Sequence, residues 1–385
     1  MTGRFVLAGL LIAACAAPAA LASPYSDFNA AIAAHNRGDW DATIKLDDAA
    51  LASPDLLPSF RVPAYIDRAD AHAGKQDWAG AEADYAAVLA LEPDNIDARL
   101  HHAVVLHQQK KYDAAIADYV QLIHHRPKLV QAYEGRAFLY DDAGKLDAAI
   151  ADYSIVLGFE PKVAGFYVLR GSAWRRKGAF DKAIADQDHA IELDASIDRA
   201  WFERSEAYED KGDYASAAAD AAQDLRLKPD DVDARMSFGR AQWSAGDFPN
   251  AAVTFGQVVG VRPAIAYGAI WRALALAHDG KPYEQQFATD AGTLDKTKWP
   301  APLVQLYLGQ STPTAVLTAA SAASDPDRGN EQVCEANFYA GEWQLVHGQG
   351  EAAKPMLIAA HNQCPHEFIE RDAAAAELAR LDKKP

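Results

Sequence analysis

Positive charge, long apolar runs, cysteine and catalytic signatures are all scarce in this chain. Each shortage removes a class of function. Lys and Arg number 37 against 54 Asp and Glu, a formal net charge of −17, which argues against nucleic acid as a partner. Beyond Phe5–Ala17 no apolar stretch is long enough to span a bilayer. Three cysteines occur, and only Cys334 and Cys364 lie outside the first segment. There is no Gly-x-Ser-x-Gly elbow, P-loop, dinucleotide Gly-x-Gly-x-x-Gly or His-Glu-x-x-His. His366-Glu367 begins the last of these, but Glu370 stands where the second histidine belongs. The expectation is a chain without catalysis and without a cofactor.

Residues 1–22 read as a secretory leader. Arg4 precedes the apolar run Phe5–Ala17, and Ala20-Leu21-Ala22 forms a small-x-small cleavage site before Ser23. A second reading takes Ile12-Ala13-Ala14-Cys15 as a lipobox, with Cys15 lipidated as an anchor. The Ala-x-Ala site is the better formed. Both readings carry the chain out of the cytoplasm, into the periplasm or onto the outer membrane.

What is present is a 34-residue period. Gly144, Gly178, Gly212, Gly246 and Gly280 keep that step, as do Ala81, Ala115, Ala149, Ala183, Ala217 and Ala251. A second small position runs Ala69, Ala103, Ala137, Gly171, Ser205, Gly239, Ala273. Within Val130–Val163, apolar residues recur at helical spacing up to Gly144, then again from Leu146 to a stop before Pro161. Gly144 can adopt positive φ where the first helix ends, and Pro161 blocks continuation of the second. Each unit is therefore helix, turn, helix, break. One such pair cannot bury its apolar stripe alone, so units must stack.

The offsets small–Gly–aromatic–Ala–Ala–Pro resemble the tetratricopeptide repeat family. The resemblance implies an all-α fold: a right-handed superhelix of antiparallel helix pairs, ending in a capping helix. It divides the chain into 1–22 (leader), 23–61 (an atypical first unit), 62–299 (the repeat array), 300–330 (a non-repeat connector) and 331–385 (a last pair and cap). Four extra residues, Pro58–Arg61, interrupt the register after the first unit. Ser324–Asn330 reads as a loop. Pro355 and Gly350 suggest that the last second helix starts late or kinks, and Asp224 suggests looser packing of its unit.

The last 85 residues or so also resemble the bacterial new lipoprotein I family. The resemblance rests on Trp299, Leu306-Tyr307-Leu308-Gly309, Glu335-Ala336-Asn337-Phe338-Tyr339-Ala340-Gly341, His366-Glu367-Phe368-Ile369-Glu370 and Ala376-Glu377-Leu378. It implies a periplasmic, membrane-anchored, homodimeric adaptor for cell-wall hydrolases and a protease.

Candidate sites follow from this frame. The repeat family's inner surface implies a partner-binding groove of Glu134, Phe138, Asp141, Asp142, Arg175, Arg176, Phe202, Glu206, Glu209, Asp210, Arg240, Trp243 and Tyr267. Aromatic anchors among charges suit a basic and apolar protein segment. His101, His102, His107, His124 and His125 crowd the third unit. They are either solvated helix-end residues or, if they converge, the metal site of a metal-dependent factor or enzyme. Asp84, Asp118, Asp152, Asp186 and Asp220 recur with Arg68, Arg136, Arg170 and Arg204. An ion pair joining the two helices of each unit is the favoured reading over a ligand-reading ladder. Family register brings Cys334 and Cys364 to the adjoining ends of one helix pair, so an exported chain would form a disulfide. A metal site with His361 and His366 is the alternative.

Overall fold

The computed structural model describes residues 23–295, 297–322, 326–365 and 368–382. The leader, with its two processing readings, and His366 lie outside the described residues. Every regular element among the described residues is helical, as the period requires. The chain forms two compact units, Met1–Ala143 and Gly144–Pro385.

The first unit holds α1 (Pro24–His35) and α2 (Trp40–Ala52), α3 (Pro58–Gly74) and α4 (Trp78–Leu91), α5 (Ile96–Gln108) and α6 (Tyr112–His125), then α7 (Val130–Asp142). The second holds α8 (Leu146–Phe159), α9 (Ala164–Arg176) and α10 (Phe180–Leu193), α11 (Asp198–Lys211) and α12 (Tyr214–Leu227), and α13 (Val232–Ser244) and α14 (Phe248–Val261). It continues with α15 (Ala266–His278), α16 (Glu284–Asp290), α17 (Ala301–Tyr307), α18 (Pro313–Ser321), α19 (Pro326–Val346), α20 (Gly350–Gln363) and α21 (Ile369–Leu381).

Local chemistry sets the boundaries. Asp77 and Asp213 cap second helices by accepting from the amides of Gly80 and Ser216, each at 3.2 Å. First helices stop at a left-handed residue: Gly212 has φ 81°. The same position holds Gln76 and Lys110 in the first unit, and both keep positive φ, 61° and 59°. The turn geometry thus persists where glycine is missing, at a steric cost. At the crossing of α13 and α14, a Cβ added to Gly239 would lie 2.8 Å from the Phe255 ring, so the small position is set by contact between helices.

The arginine–aspartate series joins the helices of three pairs, α3–α4, α9–α10 and α11–α12. Arg68 donates to both oxygens of Asp84 at 2.8 and 2.5 Å, Arg170 to Asp186 at 2.8 and 2.7 Å, and Arg204 to Asp220 at 2.7 and 2.7 Å. These planar two-point contacts tie side chains 16 residues apart. In the third unit His102 takes the arginine position and meets Asp118 at 2.6 Å.

Three expectations change. The first helix of the second repeat starts at Pro58 rather than Val62, with Pro58–Arg61 as the first turn of a lengthened α3. The expected loop 324–330 is helical from Pro326. The second helix of the last pair starts on time at Gly350, and Pro355 sits within it. Asp224 is buried (3% exposed), one of its oxygens lacks a partner, and burial raises its pKa. Burying that acid costs desolvation. Cys334 and Cys364 are joined as a disulfide with Cα atoms 5.1 Å apart, which ties the interior of α19 to the end of α20.

Two outcomes test this account. Gly212→Ala should destabilise the chain by about 1 kcal/mol, and Lys110→Gly should shift stability the opposite way by up to about 1 kcal/mol. Urea unfolding of both variants reads the signs; equal signs would show that the turn conformation is not what matters. Reducing Cys334–Cys364 should remove ~3 kcal/mol, seen as a lower urea midpoint with reductant. An unchanged midpoint would mean the crosslink contributes nothing.

Candidate functional site

First helices are each other's neighbours: α1 lies beside α3 and α5 beside α7 in the first unit, and α9 beside α11 and α13 beside α15 in the second. In each unit they line one face, which is where repeat proteins of this build meet ligands.

In the first unit this face carries exposed apolar residues among acids. The ninth positions of two successive repeats hold Val104, 46% exposed, and Phe138, 38% exposed. Asp97 is exposed, and Glu134 and Asp141 are half-buried. Asp142 meets His107 Nε2 at 2.6 Å.

In the second unit Trp243 and Tyr267 of the expected groove meet the chain's own C-terminal helices. Trp243 is fully buried. Its ring lies 5.2 Å from Trp271 and 6.1 Å from Phe338 of α19, and the Arg380 guanidinium of α21 sits 4.3 Å over it. Trp243 is therefore not open to a partner, which corrects the sequence expectation. Arg380 also donates to the carbonyls of Trp243 and Ser244 at 3.2 and 3.0 Å, satisfying the end of α13. The Tyr267 hydroxyl bonds to Glu335, which also accepts from Trp299 Nε1 at 2.6 Å. Arg240 reaches Ser237 at 2.8 Å. Arg175 lies among Glu203, Glu206 and Asp210 at 3.3–3.6 Å, inside the scaffold. Arg176 is exposed, and Phe202 lies half-buried under Arg199 at 5.3 Å.

The meeting of α21 with α9, α11 and α13 concentrates acid. Burial, and then repulsion from Glu206, push Glu209 up to about 8. Burial, then Asp210 and Glu206, push Asp372 up to about 7, with Arg371 and Arg175 opposing. Burial and Glu335 push Glu370 up to about 7, with Arg240 opposing. These groups hold protons that the unfolded chain would release.

The third-unit histidines do not converge on an ion. His102 pairs with Asp118 and His107 with Asp142; His101 lies 5.6 Å from the Tyr85 ring, and His124 lies against His125. Sequence reasoning missed Glu342, Glu377 and Arg380, which the fold buries together. One signal was available: Glu370, Ala373, Ala374 and Glu377 keep the i, i+3, i+4, i+7 spacing of a buried stripe.

The raised carboxyls give a pH prediction. A carboxyl whose folded pKa exceeds its unfolded one stabilises the fold in acid and loses that contribution as pH rises toward the folded value. Asp47, pushed up to about 8 by burial and Asp67, acts in the same sense. The thermal midpoint should fall from pH 5 to pH 8, and Glu209→Gln with Asp372→Asn should flatten the slope. A midpoint rising over that range would contradict the assignment.

No helix among the described residues is long and apolar enough to cross a membrane. The tetratricopeptide repeat family model matches residues 66–127 and 135–196. No curated protein matches the chain. Among solved structures, a tetratricopeptide repeat protein from Parabacteroides merdae is 15% identical, covering 83% of this chain and 99% of that one, with TM-score 0.42. The C-terminal part of a repeat-containing protein from Cytophaga hutchinsonii is 18% identical over 71% of this chain and 98% of its own, TM-score 0.45. MamA from Desulfovibrio magneticus is 16% identical over 44% and 96%, TM-score 0.42. The matching family model, with the small, glycine and aspartate positions of each pair, shows that the chain carries tetratricopeptide repeats across residues 66–127 and 135–196.

Proposed function

We propose that this chain is an exported scaffold that binds a protein segment along the first-helix face of its N-terminal repeats, α3, α5 and α7. The observation that carries the reading is the pair Val104 and Phe138, exposed at equivalent positions of successive repeats amid acidic residues. Exposed apolar anchors one repeat apart suit an extended segment, and the acids favour basic residues beside its apolar ones. Of the sequence-expected groove, Glu134, Phe138, Asp141 and Asp142 belong to this face. Arg175, Phe202, Glu206, Glu209, Asp210, Arg240 and Tyr267 serve chiefly the second unit's own packing, and Arg176 is exposed on it. Export is supported by Arg4, the Phe5–Ala17 run and Ala20-Leu21-Ala22. The C-terminal resemblance supports an envelope partner, such as a cell-wall hydrolase or protease, and a homodimer.

A photo-crosslinking residue placed at Val104 or Phe138 should capture the same envelope protein. One at Val120, an exposed residue of the second helix α6, should not. Val104→Asp with Phe138→Asp should then weaken the purified partner by at least about tenfold, the scale of a lost anchor. Capture from Val120 alone, or unchanged affinity, would place binding elsewhere.

A further inference from the structure

The first-helix face of the second unit contains a group that the scaffold role does not use. His278 closes α15, Glu342 lies in α19 and Glu377 in α21. One ligand atom from each lies within 4.8 Å of the others. The side chains of Glu342 and Glu377 are 0% and 1% exposed, and that of His278 is 11% exposed. We infer that His278, Glu342 and Glu377 form a site for one divalent cation of the zinc class, which fastens α21 to α15 and α19.

Three observations support this. First, Glu342 Oε1 has no hydrogen-bond partner although its side chain is wholly buried. An unmet carboxylate oxygen in a dry place is costly, and a cation would satisfy it. Second, the charges do not balance. Arg380 Nη2 and Nε approach Glu377 Oε2 at 2.5 and 2.7 Å, so one guanidinium stands against two carboxylates. With both carboxylates ionised the cluster holds more acid than base, and a divalent ion would offset it. Third, the donor set and its setting suit a metal. Imidazole with two carboxylates fits zinc, cobalt or nickel, whereas calcium and magnesium prefer all-oxygen shells. The His278 ring stacks on Phe248 at 4.7 Å and meets Trp243 edge-on at 5.5 Å, so an apolar wall holds it in place. Arg380 gives Glu377 the outer hydrogen bonds that ligating carboxylates commonly have. His278 Nε2 now lies 2.8 Å from Glu342 Oε2. Tetrahedral ligands stand about 3.4 Å apart at zinc bond lengths, so binding asks the pair to open by about half an ångström.

The rival is a closed cluster in which a proton between His278 Nε2 and Glu342 Oε2, 2.8 Å apart, removes the imbalance. Chelator-stripped mature protein separates the two. Titrated with zinc against a chromophoric chelator, it should bind one ion per chain at low micromolar concentration or tighter, with a raised thermal midpoint. Cobalt should give visible-region bands of low-coordinate geometry. Glu342→Gln and His278→Gln should each weaken zinc by at least about tenfold, on the scale of perturbed metal sites. A triple variant of His101, His124 and His125 to alanine should bind as the parent does. Because the buried variants could misfold, far-ultraviolet circular dichroism is read alongside, and the cobalt spectrum of the unaltered chain stands by itself. Zinc left unbound at tens of micromolar by the parent, or binding lost only in the triple variant, would overturn the site.

Discussion

No helix pair in this chain can bury its own apolar stripe, and the rest of the structure depends on that constraint. Ala, Gly and Ser at the crossing positions let the two helices approach, as the Gly239–Phe255 contact shows. The side chains that remain uncovered then need a neighbouring pair. A stack built this way has an end where the need is unmet. In the second unit the chain meets it by folding α19 and α21 onto α13 and α15, around Trp243, Trp271, Phe338 and Tyr339.

That solution has a functional consequence. The face that repeat proteins offer to ligands is occupied, in the second unit, by the chain's own C-terminal helices. In the first unit the same face keeps Val104 and Phe138 exposed. The proposed binding face is therefore that of α3, α5 and α7, while in the second unit Trp243 and Trp271 are buried against α19.

Electrostatics divides the same way. Within the helix pairs, Arg68, Arg170 and Arg204 each grip a nearly buried aspartate with planar geometry, so those charges are matched where they are made. His102 against Asp118 is the same device with a weaker base, which accounts for one of the third-unit histidines without a metal. Where the C-terminal helices enter, acids from separate segments meet with too few bases. Glu209, Asp372 and Glu370 are driven upward by burial and mutual repulsion. The excess acid at these contacts makes the packing of α21 sensitive to protons.

The sequence by itself determined the helix pairs, their turns and the aspartates that join them, because each depends on residues at fixed offsets; for Cys334 and Cys364 it left a metal site with His361 and His366 open beside the disulfide that the structure forms. A 34-residue period repeats those offsets often enough to identify them. It misjudged segments whose outcome rests on context: Pro58–Arg61 lengthened a helix because proline is tolerated in a first turn, and residues 326–330 joined α19. What only the tertiary structure decided was which face stays open. Trp243 occupies a repeat position that would be exposed in an open array, and nothing near it in sequence announces Phe338 or Arg380. The cluster of His278, Glu342 and Glu377 is equally silent: Glu342 lies 64 residues from His278, Glu377 lies further still from it, and the three sit on three helices. Periodicity describes what each unit does to its neighbour. Contacts between the repeats and a segment outside the period arise from where the chain turns back, and no local offset encodes that.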